Sequence, residues 1–224
     1  MSLFLYPKAQ HQRLQTPRQF KTYKPYKRWL QAEFYRLCVY CRQPDSSAPN
    51  LNFGVDHYKP KGLRRFAELA VSYGNLYYCC GNCNSRKRDY WPRDDQRGPH
   101  IVNPCDHVMA KHLRFNINTS FVDTLSEHGR FTAERLQLNE PVTVRFRSNT
   151  LANLVLCVKQ LGHLNSEADA VSNAWKKGKL SDAVRSLELG DIDRQIREMA
   201  SLIQDLQGLT PLPPLPKSRL GVPL

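Results

Sequence analysis

Two cysteine pairs of identical spacing, Cys38-Val-Tyr-Cys41 and Cys80-Gly-Asn-Cys83, constrain this chain more than any other feature. A CxxC places two thiolates on one tight turn, and two such turns build a tetrahedral four-sulfur site of the kind structural zinc prefers. The 38 residues between the pairs exceed the span of a plain zinc ribbon, so a further unit is inserted there. A redox pair is the alternative reading of one CxxC; two in one chain favour a single zinc ion. Cys79 adjoins Cys80 and competes with it. The mirrored spacing selects Cys80 and leaves Cys79 on the opposite face of a strand. Cys105 and Cys157 read as buried or idle thiols, the latter on a helix face.

The 224 residues suffice for one ordinary domain with an appendage, or for two small domains. At 41% apolar and 24% charged, the chain suits a globular protein with a real core rather than a disordered one. No run approaches the roughly eighteen apolar residues of a membrane helix. The apolar stretch in MSLFLYPKAQHQR is too short for a secretory signal. The expectation is a cytoplasmic, reduced protein without membrane insertion, whose seven cysteines bind metal or lie buried rather than form disulfides. Lys and Arg number 33 against 20 Asp and Glu, for a net charge of +13. That excess points to a polyanion, since each neutralised phosphate releases counterions. The bland reading is a basic protein that is simply soluble.

The charge is uneven. Residues 1–32 hold no acidic side chain and seven basic ones, Lys8, Arg13, Arg18, Lys21, Lys24, Lys27 and Arg28, interleaved with Phe20, Tyr23, Tyr26 and Trp29. Either the aromatic faces help the cations grip a sugar-phosphate backbone, or they anchor an N-terminal helix while the lysines face water. Residues 36–103, dense in Cys, Gly, Asn, Pro and Tyr, read as short strands and loops. VTVRFR at 142–147 alternates like a strand or opens the helix that follows. Leu151, Leu154, Val155, Val158 and Leu161 mark a helix that Gly162 should stop. A second helix is expected at about 166–178. A third is expected from Asp191 to Leu206, with its Ile192, Ile196, Met199, Ile203 and Leu206 stripe forming a packed face or a partner seam. The proline-rich end should be an extended tail.

Between the cysteine pairs lie Asp56-His57-Tyr58-Lys59-Pro60, then Asn75-Leu76, and directly after Cys83 comes Asn84-Ser85-Arg86-Lys87. A strand ending at Asp56-His57, a return strand at about 76–79 and a helix starting near Cys83 would form a strand-loop-strand-helix unit stapled at its base. The order C-x2-C, D-H-x2-P, N-L-x3-C-x2-C-N-x2-K over residues 35–90 resembles the zinc-stapled branch of the HNH endonucleases, whose active site is the ββα-metal fold.

The resemblance implies an α+β protein acting on DNA. Its parts would be a basic arm at 1–34, a zinc-stapled HNH nuclease domain at 35–105, a mainly helical region at 106–208 and a tail at 209–224. His57 would be the general base, Asn75 the residue holding its loop, and Asn84 the last of an H-N-N variant of the motif. Asp56 and Asn84 offer oxygens that suit Mg²⁺ or Mn²⁺, ions that keep several waters. Lys87, with Arg86 and Arg88, would face the phosphate backbone, joined by Lys21, Lys24, Lys27 and Arg28 from the arm. One site per chain means a monomer nicks. A vaguer resemblance, from the run NLYYCCGNCNSRKRDYWP with IVNPC at 101–105, is to HNH proteins encoded beside ATPases or motor complexes in bacterial anti-phage systems of the Septu and type II Zorya kinds. An ATPase or motor complex is the partner that likeness implies.

Bland readings stand beside these. Asp56 serves a turn, His57 lies in a core, Asn75 starts a strand and Asn84 caps a helix. The rival classes for the whole chain are a non-catalytic zinc module that binds nucleic acid or protein, and an RNA-directed nuclease.

Overall fold

The computed structural model describes residues 3–15, 17–47, 52–94 and 97–209. The expected tail from 210 onward lies outside the described residues. The chain is mixed α and β, and its described residues fall into two compact units, 3–147 and 148–209.

The first unit is built around a short antiparallel ladder. Strand β1 (Phe53–His57) pairs with β2 (Leu76–Cys80), Phe53 opposite Cys80 and His57 opposite Leu76. All five residues of β2, Leu-Tyr-Tyr-Cys-Cys, are buried, as aromatic and compact apolar side chains allow on a covered strand. Helix α2 (Gly81–Lys87) follows without a linker. Cys80 is its N-cap, the sulfur accepting the Cys83 N–H at 3.5 Å. The helix ends at Arg88, whose φ of 51° breaks the repeat. The expected strand-loop-strand-helix order is present, but the helix starts at Gly81, so Asn84 is an interior residue rather than the cap.

The N-terminal segment is part of this unit, not a separate arm. Leu3, Phe4, Tyr6, Tyr26 and Trp29 are buried, the last on helix α1 (Lys27–Glu33). Its anchor is the buried Glu33 carboxylate. That group accepts the Leu14 and Gln15 N–H groups, each at 2.8 Å, and the Tyr73 hydroxyl at 3.2 Å, and it bonds His11 Nε2 at 2.6 Å. Arg13 lies over the rings of Phe34, Tyr73 and Tyr77, at 4.9, 5.2 and 4.6 Å, and donates to the Leu76 carbonyl at 2.8 Å. The interleaved aromatics thus serve mainly as anchors. Lys21, Lys24 and Arg28 face water and Lys27 is half-buried. The sequence boundaries at 34/35 and 105/106 both fall inside the compact unit for the same reason: the segments on either side share one core.

Strands β3 (Leu113–Phe115) and β4 (Val122–Thr124) form a second antiparallel pair, followed by helix α3 (Glu127–Arg135). Ser126 caps α3 by accepting the Gly129 N–H at 3.0 Å. A Cβ at Gly129 would lie 2.0 Å from the His112 carbonyl oxygen, so only glycine permits this approach. Around this corner four imidazoles gather. His107 lies 5.4 Å from His112 between ring centroids, and His128 lies 6.3 Å from each of these and 6.0 Å from His100. His128 Nδ1 accepts the His100 N–H at 3.0 Å, which only the unprotonated atom can do.

Helix α4 (Pro141–Lys176) overturns two readings. VTVRFR belongs to it, so the alternation there is not a strand; the reading of it as the start of a helix holds. Gly162 does not end it: the two helices expected at 149–162 and 166–178 are one. An interior glycine costs only about 1 kcal/mol, less than the surrounding good helix formers supply. In the second unit the real stop is Gly178, φ 70°, with the Lys179 N–H returning to the Ala174 carbonyl at 3.0 Å. Helix α5 (Asp182–Gln207) begins well before Asp191, because Ser181 caps it through the Val184 N–H at 3.3 Å. Its Ile192 is buried and Ile196, Met199, Ile203 and Leu206 are half-buried, the inward stripe the spacing implied.

Two outcomes follow. A Cβ at Gly162 meets nothing within 4 Å, so Gly162→Ala should stabilise the protein by about 0.5–1 kcal/mol in urea unfolding. His107 and His112 are held below their ordinary 6.5, chiefly by burial and then by neighbouring charges: His112 and His128 act on His107, against Asp106, and His128 and Lys111 act on His112. The folded chain therefore binds fewer protons than the unfolded one, and this contribution is complete above pH 6.5 and lost as pH falls below it. The urea midpoint should decline between pH 7 and pH 5, a range above ordinary carboxylate titration.

Candidate functional site

The two CxxC turns meet. Cys38 and Cys41 come from a turn closed by the Cys38 N–H to the Gln43 carbonyl at 2.9 Å; Cys80 ends β2 and Cys83 lies in the first turn of α2. All four are buried, and their sulfurs lie within 4.8 Å of one another, with Cys41 and Cys80 at 3.7 Å. Four sulfurs placed about 2.3 Å from a central zinc are about 3.8 Å apart along a tetrahedron's edge. The cluster could hold a metal ion such as zinc. Cys79 lies outside this four-sulfur group, and its thiol donates to the Cys80 carbonyl at 3.3 Å.

Beside this staple, β1 and α2 border a cavity of about 210 Å³, whose wall includes Asp56, His57, Asn84 and Arg88. His57, the last residue of β1, bonds the Ala70 carbonyl through Nε2 at 3.0 Å. A carbonyl oxygen only accepts, so the ring proton sits on Nε2 and Nδ1 is left as the ring's acceptor. Burial holds this imidazole below its ordinary 6.5, opposed by the Ala70 bond and reinforced by the Lys61 charge.

Asn75 does not touch the ring. Its amide braces the loop that carries the ring's partner: Oδ1 accepts the Lys59 N–H at 2.8 Å, while Nδ2 donates to the carbonyls of Lys59 and Leu69 at 3.0 and 3.3 Å. Leu69 adjoins Ala70, so the brace reaches His57 through one peptide. Its hydrogen bonds reach the loop and not the ring.

Asp56 is 3% exposed. Its Oδ2 accepts the Tyr40 hydroxyl at 2.5 Å, and its Oδ1 meets the Lys87 ammonium at 3.1 Å. Lys87, expected at the phosphate backbone, is 1% exposed and also donates to the His57 carbonyl at 2.7 Å. That expectation is corrected: a lysine this deep is held by its buried carboxylate and has no reach to a bulky polyanion. Arg86 is also diverted. Its guanidinium bonds the Leu136 and Gln137 carbonyls and the Glu140 carboxylate, on the cysteine side of α2. Arg88 is exposed and borders the cavity.

Four further groups border the site that the sequence did not assign to it. Tyr40 lies between the first two zinc-type ligands and reaches Asp56. Tyr23, Lys61 and Asp89 line the cavity. Only Lys61 had a visible cue, lying four residues beyond His57 in a lysine-bearing loop.

A hard divalent ion can be tested against these donors. Asp56 and Asn84 supply one carboxylate and one amide oxygen at a common cavity. A carboxylate has about four lone-pair positions, of which Tyr40 and Lys87 take two. Asp56 and Asn84 are the residues that would hold such an ion, with waters completing its shell.

No family model matches the chain, and neither does any curated protein or solved structure.

The cysteine cluster has a direct check. Purified protein should contain about one zinc per chain by elemental analysis. Cys80→Ser or a strong chelator should remove the metal and the cooperative unfolding transition together, because a structural zinc site contributes folding free energy. A cooperative transition that survives full metal loss would overturn the structural role.

Proposed function

We propose that this chain is a metal-dependent HNH-type endonuclease that hydrolyses DNA phosphodiester bonds. The observation that carries the reading is the placement of His57: its proton is pinned on Nε2 by the Ala70 carbonyl, and it borders the same cavity as the Asp56 and Asn84 oxygens. That is the arrangement a water-activating base needs, since Nδ1 keeps a free lone pair at neutral pH. The order of the motif residues, the four-sulfur cluster and the net charge of +13 point the same way.

In this reading His57 takes the proton from the attacking water. Asn75 keeps the Ala70 carbonyl in place and hence the ring's orientation. Asp56 and Asn84 would hold Mg²⁺ or Mn²⁺, which when bound offsets charge developing on the phosphate and leaving oxygen. Lys87 balances part of the Asp56 charge from behind. Arg88 and the exposed Lys21, Lys24 and Arg28 meet neighbouring phosphates, each through long-range attraction rather than base reading. A zinc ion in the four-cysteine cluster supports the scaffold. Service in anti-phage defence, beside an ATPase or motor complex, rests on sequence resemblance alone.

The test is plasmid relaxation. With Mg²⁺ or Mn²⁺ the protein should convert supercoiled DNA to open circles, one strand per encounter. His57→Ala should cut about 10²–10⁴-fold more slowly, with DNA affinity and urea midpoint retained. Cutting at the wild-type rate by that variant sinks the catalytic reading and leaves a zinc module that binds nucleic acid. A parallel RNA substrate separates the RNA-directed alternative. The rate should be flat above pH 6.5 and fall as pH drops further, because His57 acts only unprotonated and its proton affinity lies below the ordinary 6.5.

A further inference from the structure

The N-terminal segment reaches the catalytic cavity. Tyr23 stands edge-on to the His57 ring, centroids 4.7 Å apart and planes at 77°. On the face of the Tyr23 ring sits the Lys61 ammonium, 4.2 Å from the centroid. Both residues line the cavity with His57.

One hydrogen bond cannot fix an imidazole. The Nε2 bond to Ala70 anchors a single atom, and the ring can still swing about that N–H···O axis. A second contact at an angle removes that freedom, and an aromatic edge-to-face pair supplies it. Tyr23 is itself held on both sides along the chain. The buried Glu33 carboxylate takes the Leu14 and Gln15 N–H groups before it, and the Phe20 N–H donates to the buried Tyr26 hydroxyl at 3.0 Å. The tether fixes Tyr23, and Tyr23 fixes the ring.

We infer that Tyr23 is a positioning residue for His57 and that Lys61, seated on Tyr23, binds a phosphate of the substrate next to the scissile one. The inference rests on the nuclease reading for its chemistry and on the tyrosine–histidine–lysine contacts for its geometry. The sequence put Tyr23 among aromatics that would grip a backbone. Here the ring pairs T-shaped with the base and carries a cation on its face. Lys61 is exposed at the cavity wall, where an ammonium can meet a phosphate without the desolvation that sequesters Lys87.

The two roles separate kinetically. Tyr23→Ala should lower kcat at least about tenfold with KM within about twofold, since a loosened base misses its near-attack geometry. Tyr23→Phe keeps the ring and should restore kcat. Lys61→Ala should raise KM about tenfold with little change in kcat, and should reduce the slope of log affinity against log salt by about one.

Two readouts do not need turnover. Nitrogen-15 shifts of labelled histidine at pH 8, with His57 assigned by its loss in His57→Gln, should report the Nε2–H form in the wild type and Tyr23→Phe, and a mixture of both neutral forms in Tyr23→Ala. The salt slope is measured on uncut DNA without divalent metal. A Tyr23→Ala protein with wild-type kcat and an unchanged tautomer overturns the positioning role. An unchanged salt slope in Lys61→Ala overturns the phosphate role. If no form of the protein cuts DNA, the nuclease reading falls, and the tautomer and slope still decide these two contacts.

Discussion

Four buried thiols meet at the joint between β2 and α2, where a metal ion would tie the 38–41 turn to the end of the ladder. A two-stranded ladder is marginal on its own in water, and five-residue strands offer little area to bury. Drawing the 38–41 turn onto the end of β2 changes that. The turn covers the strand's outer end, and α2 is forced to leave β2 with no linker, which sets the direction of its whole face. From that face come Asn84, toward the cavity, and Lys87, toward Asp56. The geometry of the cavity therefore depends on sulfur positions that do not line it.

The second constraint is electrostatic. Asp56 and Lys87 form an ion pair almost free of solvent, and losing either partner alone would strand a charge at a cost of about 3–5 kcal/mol. The pair is completed by the Tyr40 hydroxyl and the His57 carbonyl, so each charge has neutral hydrogen-bonding company. This arrangement divides the basic residues of the site into two kinds. Lys87 belongs to the interior and balances a carboxylate; Lys61 and Arg88 remain exposed at the cavity wall. A count of positive charge along α2 does not reveal that division.

The strand-loop-strand-helix unit was legible because its signals are local and rigid. Paired cysteines and a proline shortly after His57 each restrict the backbone directly. The choice of Cys80 over Cys79 followed from spacing alone. Lys87 was misread because burial depends on which residue faces it, and Asp56 lies thirty-one positions away. The separate N-terminal arm was misread for a related reason. Glu33 closes the acid-free segment and looks like its end, yet its carboxylate collects N–H groups from Leu14 and Gln15 and folds the segment back. In the second unit, Gly162 was weighed as a stop, whereas Ser181 with Asp182, a stronger start signal, was passed over. A glycine weakens a helix by a modest amount; a cap with a matched first turn defines one.

Tyr40 shares its four-residue turn with two of the sulfurs, and its hydroxyl is also a direct partner of the Asp56 carboxylate. Whatever unseats the sulfurs, an oxidant or a competing soft ion, also frees that phenol. A single tyrosine thus makes the acidic wall answerable to the state of the staple, through one hydroxyl and one carboxylate.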